Sequence, residues 1–175
     1  METEEKVINA VKKANAVPDS IQLSSGVVLE THQANPLLLI SVMSAFPRPV
    51  PPTQFIEIMG REMENPDDPD YISRVQAWKT ENSNAVLGAL ILLGTKLKSK
   101  PSDIPGPDDD DWLNTYETLG LQIKPKNKDW RYLKWVMTIA CVSEKDLQLI
   151  QEAVGGKSGV KESDVSAAAT FPGSN

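Results

Sequence analysis

The sequence predicts an α+β fold, mostly helical, with a small N-terminal β-hairpin or three-stranded sheet followed by five or six helices. Two patterns carry that expectation. Ile21 and Leu23 alternate with polar residues, Ser24-Ser25-Gly26 supplies a turn whose glycine tolerates positive φ, and Val27–Leu29 follow. Further along, apolar residues recur at helical spacing behind Asn-Pro and Asp-Pro start signals. No internal repeat is visible.

Each element follows in order. Val7, Ile8, Val11 and Ala14 share one face of a helix over residues 4–15, with Lys12 and Lys13 at its negative end and Pro18-Asp19 as its stop. Residues 1–19 are thus expected to form an N-terminal helical arm, 20–171 a single α+β domain and 172–175 a frayed tail. Asn35 caps and Pro36 opens a helix reaching about Phe46.

Pro47, Pro49, Pro51 and Pro52 fix φ near −65° and lack an N–H, so residues 47–52 form a stiff extended connector. Its PxxP-like pattern matches an SH3 ligand only loosely. Residues 54–59 (QFIEIM) are then expected to add a third strand to the hairpin. Asp68 caps and Pro69 starts a long helix whose inner face carries Ile72, Val75, Trp78, Ala85, Leu87, Leu90 and Ile91. Its apolar second half, AVLGALILL, marks the buried central helix, with Gly94 as terminator.

After a Pro/Gly loop (100–107), Asp108–Asp111 precede Trp112, Leu113, Tyr116 and Leu119. Four adjacent carboxylates lack the alternating spacing of a calcium loop, which favours helix capping and a solvated face over a metal site. The segment PKNKDWRYL interleaves bases with aromatics, as single-strand binders do. Yet Trp130, Leu133, Val136 and Met137 fit one helix face, with Lys128, Arg131 and Lys134 outside. Ser143 and Asp146 form a capping box for a helix that Gly155-Gly156 ends, and a last short helix is expected over residues 160–171.

Composition narrows the function classes. In 175 residues, 40% hydrophobic and 24% charged content suits a chain with a true core. A net charge of −6 disfavours nucleic acid and anionic membranes, since phosphate binding needs clustered Lys and Arg. The acidic N-terminus has no signal-peptide core, and the longest apolar run, 85–93, is about half of the ~18 residues a membrane helix needs. A cytoplasmic protein is expected. The single cysteine, Cys141, in TIACVS, reads as a small buried residue.

Catalytic machinery is not legible. The one histidine, His32, ends the second hairpin strand with no nucleophile elbow or catalytic-cysteine turn nearby. Zinc would lack its usual nitrogen and sulfur ligands, and no Gly-rich phosphate loop occurs. No enzyme activity, cofactor or metal is expected.

Three segments, in order, carry a resemblance. They are the hairpin with NPLLLISVMSAFPRPVPP, then GREMENPDDPDYISRVQAWKTENSNAVLGALILLGT, then DDDDWLNTYETLGLQI followed by RYLKWVMTIACVSEKDLQLIQEAVGGKSGVKESDVSAAATF. Together they resemble the tail assembly chaperones encoded in the tail-assembly region of long-tailed bacteriophages. The resemblance spans residues 20–171 and rests on segment order more than on an invariant motif.

It implies a non-enzymatic helper in the host cytoplasm that binds the long, helical, aggregation-prone tape measure protein before the tail tube polymerises. The tail tube protein is a further candidate partner, and a structural tail or head–tail component is the alternative reading. The resemblance carries no contact residues over. From the sequence itself, Phe46, Val50, Phe55 and Ile56 on the 46–59 arm, with Trp130 and Trp135, are the candidate protein contacts, a core position being the competing placement for each.

Overall fold

A computed structural model describes residues 18–159, and the expected hairpin opens it. The expected helices over 4–15 and 160–171 lie outside these residues. Strand β1 (Ser20–Gln22) pairs antiparallel with β2 (Val28–Thr31), Ile21 facing Leu29. Leu23 N–H donates to Val27 O at 2.8 Å, and Gly26 closes the turn at φ +86°. The expected α+β, mostly helical class holds.

Helix α1 (Pro36–Ser44) begins as the sequence dictates, with Asn35 accepting from Leu37 N–H. Only Leu39 of this helix is fully buried, inside the core. The proline connector follows. Strand β3 (Thr53–Ile56), one 3-10 turn (Glu57–Met59) and β4 (Arg61–Glu64) then form a separate two-stranded sheet.

The third strand of the main sheet is therefore not 54–59. It is β5 (Thr95–Ser99), which leaves the long helix and pairs with the free edge of β2, Leu29 facing Leu97 and Thr31 facing Thr95. The physical reason is side-chain alternation. Thr95 and Leu97 turn inward between exposed lysines, whereas every β3 residue before Ile56 is exposed and offers the core no apolar face.

Helix α2 (Pro69–Gly94) has its cap where expected, Asp68 accepting from Tyr71 N–H at 2.8 Å. Val75, Trp78, Leu90 and Ile91 are buried as expected, while Ile72 instead faces out. Gly94 is the last helical residue, as expected, but it ends the helix without taking positive φ. A Cβ there would lie 2.1 Å from Val154 Cγ1: glycine lets the end of α2 touch the last helix. Thr95 finishes the job by donating its hydroxyl to Ile91 O at 2.7 Å.

Helix α3 (Asp111–Thr118) is short. Helix α4 (Lys128–Trp135) runs into a wider π turn over Val136–Ala140, closed by Cys141 N–H to Val136 O. Helix α5 (Glu144–Ser158) continues through Gly155-Gly156 instead of ending there, and stops at Gly159 with φ +70°. It goes on because Gly155 is buried and Ser158 is held, its hydroxyl donating to Val154 O and accepting from Ala34 N–H. The core fills with Val27, Leu29, Leu39, Ile91, Trp135, Val136, Ile150 and Val154, all fully buried.

Candidate protein-binding surface

The 46–64 segment stands apart from this core. Its entry is pinned where Trp78 Nε1–H donates to Phe46 O at 2.6 Å, tying the connector to α2. At its base, Asn65 N–H donates to Pro52 O at 2.8 Å and closes the hairpin on itself. Between the two, Phe55 pairs with Glu62 and Gln54 with Met63, across a turn closed by Gly60 at φ +62°. Strand alternation then sets two faces: Thr53, Phe55, Glu62 and Glu64 on one, Gln54, Ile56, Arg61 and Met63 on the other.

Large apolar side chains here are left in water. Val50 is 73% exposed, Phe55 59%, Ile58 99% and Met59 58%. Leu37, Leu38 and Ile40 on α1 are also exposed. A two-stranded sheet of this kind is marginal on its own, and the Trp78–Phe46 bond anchors the connector that leads into it.

The surface is also acidic. Residues 53–70 carry six carboxylates (Glu57, Glu62, Glu64, Asp67, Asp68, Asp70) against Arg61 alone, five of the chain's net −6. The rest of the molecule is nearly charge-balanced.

The candidate contacts separate clearly. Val50 and Phe55 are exposed, and Phe46 and Ile56 are half-buried on the same segment. Trp130 is half-buried, stacked on Trp112 at 6.3 Å and edge-on to Tyr116 at 6.4 Å. Trp135 is withdrawn as a contact: it is fully buried, and its Nε1–H donates to Pro105 O at 2.7 Å. Sequence reasoning missed Ile58 and Met59 as exposed tip residues, although their place beside Gly60 was the available signal.

Arg131 corrects the expectation of an outward basic face. It is 7% exposed, and its guanidinium donates to Pro107 O, Pro125 O, Asp109 O and Asp110 Oδ1. The aspartate run therefore braces this arginine and its own loop. Asp110 occupies the cap position of α3, yet its side chain goes to Arg131 and not to the helix backbone. Among the described residues no group of three or more His, Cys, Asp or Glu is disposed to hold a metal.

His32 is exposed, its Nε2 3.8 Å from Glu30 Oε2. Cys141 is buried as expected, and burial, then the Asp146 charge, pushes its thiol up to about 12, so at neutral pH it is a poor nucleophile. Burial pushes the Asp146 carboxyl up, but hydrogen bonds from Ser24 N–H and Oγ–H, Ser143 Oγ–H and Val142 N–H outweigh it and hold it below the usual carboxylate range. That carboxylate ties the β1–β2 turn to the start of α5. It is a structural clasp.

An open, mostly apolar cleft of about 520 Å³ lies beside α3, lined by Pro105, Trp112, Tyr116, Leu119, Leu121 and Ile139. No helix among the described residues is long and apolar enough to cross a membrane. Comparison with protein-family models, curated proteins and solved structures finds no match.

Proposed function

We propose that this chain is a non-enzymatic phage tail assembly chaperone that binds the tape measure protein in the host cytoplasm and keeps it soluble until the tail tube forms. One observation supports the reading most: a hairpin on an anchored connector keeps Phe55, Ile58 and Met59 in water on an acidic surface. Exposed apolar residues of this density are costly unless a partner covers them. An apolar client helix is such a partner, and the surrounding carboxylates keep the complex soluble.

The resemblance of residues 20–171 to tail assembly chaperones supplies the client's identity. Pull-down of this chain from infected cells, with mass spectrometry of the bound proteins, tests the reading. The tape measure protein is expected as the main partner, and its absence from a recovered set of partners overturns the proposal.

A second reading has its own support. Both outer edges of the β3–β4 sheet are unpaired among the described residues, which suits strand addition by a neighbouring subunit of a structural tail or head–tail component. Stoichiometric presence in purified particles would favour it over the chaperone.

A further inference from the structure

We propose that the β3–β4 hairpin takes a cationic amphipathic segment: an apolar stripe flanked by Lys or Arg. The proposal deepens the chaperone reading and rests on it only for the identity of the client.

Register carries the argument. Phe55 sits directly opposite Glu62 and diagonal to Glu64, and all three side chains leave the same face of the sheet. Side chains so placed are about 5–8 Å apart. A ligand residue packed on the Phe55 ring therefore has two carboxylates within reach of its neighbours. Glu57 adds a further carboxylate in the turn at the tip, where Ile58 and Met59 are also exposed.

An apolar ligand flanked by carboxylates would meet like charge here. One flanked by Lys or Arg meets opposite charge, and a cation over the Phe55 ring adds its own attraction. Charge also argues against a second copy as the occupant, because two such hairpins would bring their carboxylates together. The basic neighbours do not reverse the sign. Arg61 leaves the opposite face, Arg74 packs 5.9 Å from the centre of the Tyr71 ring, and Arg48 lies on the connector.

The test uses the full chain and three synthetic amphipathic helical peptides with one shared Leu/Phe stripe and polar faces of Lys, Gln or Glu. Binding is read by fluorescence anisotropy at low and high salt. The Lys peptide should bind about tenfold or more tighter than the Glu peptide, the gap closing as salt screens it. Combined Glu57→Gln, Glu62→Gln and Glu64→Gln should weaken the Lys peptide about fivefold or more. Phe55→Ser should weaken both the Lys and the Gln peptide. All these positions are exposed, so circular dichroism should be unchanged.

Equal binding of the three peptides, or undiminished Lys-peptide binding by the triple Gln variant, overturns the proposal. So does a wild-type dimer in sedimentation that Phe55→Ser dissociates. Separately, a Lys peptide that binds as expected while the tape measure protein is not retained leaves this inference standing and removes the client identity. A retained tape measure protein with charge-blind peptide binding does the reverse.

Discussion

Gly94→Ala tests how the fold closes. The added methyl would stand 2.1 Å from Val154 Cγ1, 3.0 Å from Cγ2 and 3.1 Å from Cβ. Val154 is fully buried on α5 and has no solvent to retreat into. Overpacking of a filled core costs about 1–3 kcal/mol and more when backbone must move, and a 2.1 Å approach demands such movement. Alanine returns only about 1 kcal/mol of helix propensity. Overlap wins, and the expected loss is about 2–4 kcal/mol.

At about 2–4 °C per kcal/mol for a chain of this size, the melting temperature should fall by about 4–16 °C. Thermal and urea unfolding followed by circular dichroism measures it. Val154→Ala alone should cost about 1–3 kcal/mol through lost packing. Combined with Gly94→Ala it should cost clearly less than the two losses added, since the smaller side chain admits the new methyl. A neutral or stabilised Gly94→Ala protein, or strict additivity in the double variant, would refute the close-approach account.

Three further outcomes follow from the buried polar groups. Arg131→Met should destabilise by about 2–4 kcal/mol, because the carbonyls of Pro107, Asp109 and Pro125 lose a buried donor, and Arg131→Lys should restore only part of it in the same urea assay. The Asp146 carboxyl titrates lower folded than unfolded, so its clasp contributes stability above the unfolded carboxylate range and loses it as pH falls through the folded value. Asp146→Asn should therefore flatten the acid limb of a stability–pH curve, and an unchanged limb would count against the clasp. Cys141, with its thiol pushed up to about 12, should resist iodoacetamide at pH 8 in the native protein and react at once in denaturant. Fast native alkylation would contradict its burial.

Much of the fold was legible because helix starts are chemical events. Asn35-Pro36, Asp68-Pro69 and Ser143 with Asp146 each place an acceptor before a helix, and all three helices begin there. Ends were less legible. Gly94 and Gly155-Gly156 read as stops because glycine often ends helices, yet at Gly94 glycine serves contact between helices, and α5 runs through a buried Gly155. Whether a glycine needs positive φ or a missing Cβ depends on what packs against it, which spacing does not encode.

Strand order was misread for a related reason. QFIEIM is more apolar than TKLKS, but only the latter alternates in phase with the sheet it must join. Apolar content was mistaken for burial. Of the surface candidates, Val50 and Phe55 were readable because the prolines hold that segment extended. Trp135 was not: its indole needs a carbonyl partner, and Pro105 supplies one from thirty residues away. Arg131 reads as an outward residue because a charged residue on a helix is usually solvated, and the carbonyls that bury it come from the loop before α3 and from Pro125.

The central claim is reversible binding of an apolar polypeptide through the hairpin, and co-expression with the tape measure protein tests it most directly. Wild-type chain should hold the tape measure protein in the soluble fraction and co-purify with it. The double variant Phe55→Ser, Ile58→Ser should leave it in the pellet while the variant itself stays folded, both positions being exposed. Equal solubility and co-purification with wild type and double variant would contradict the account.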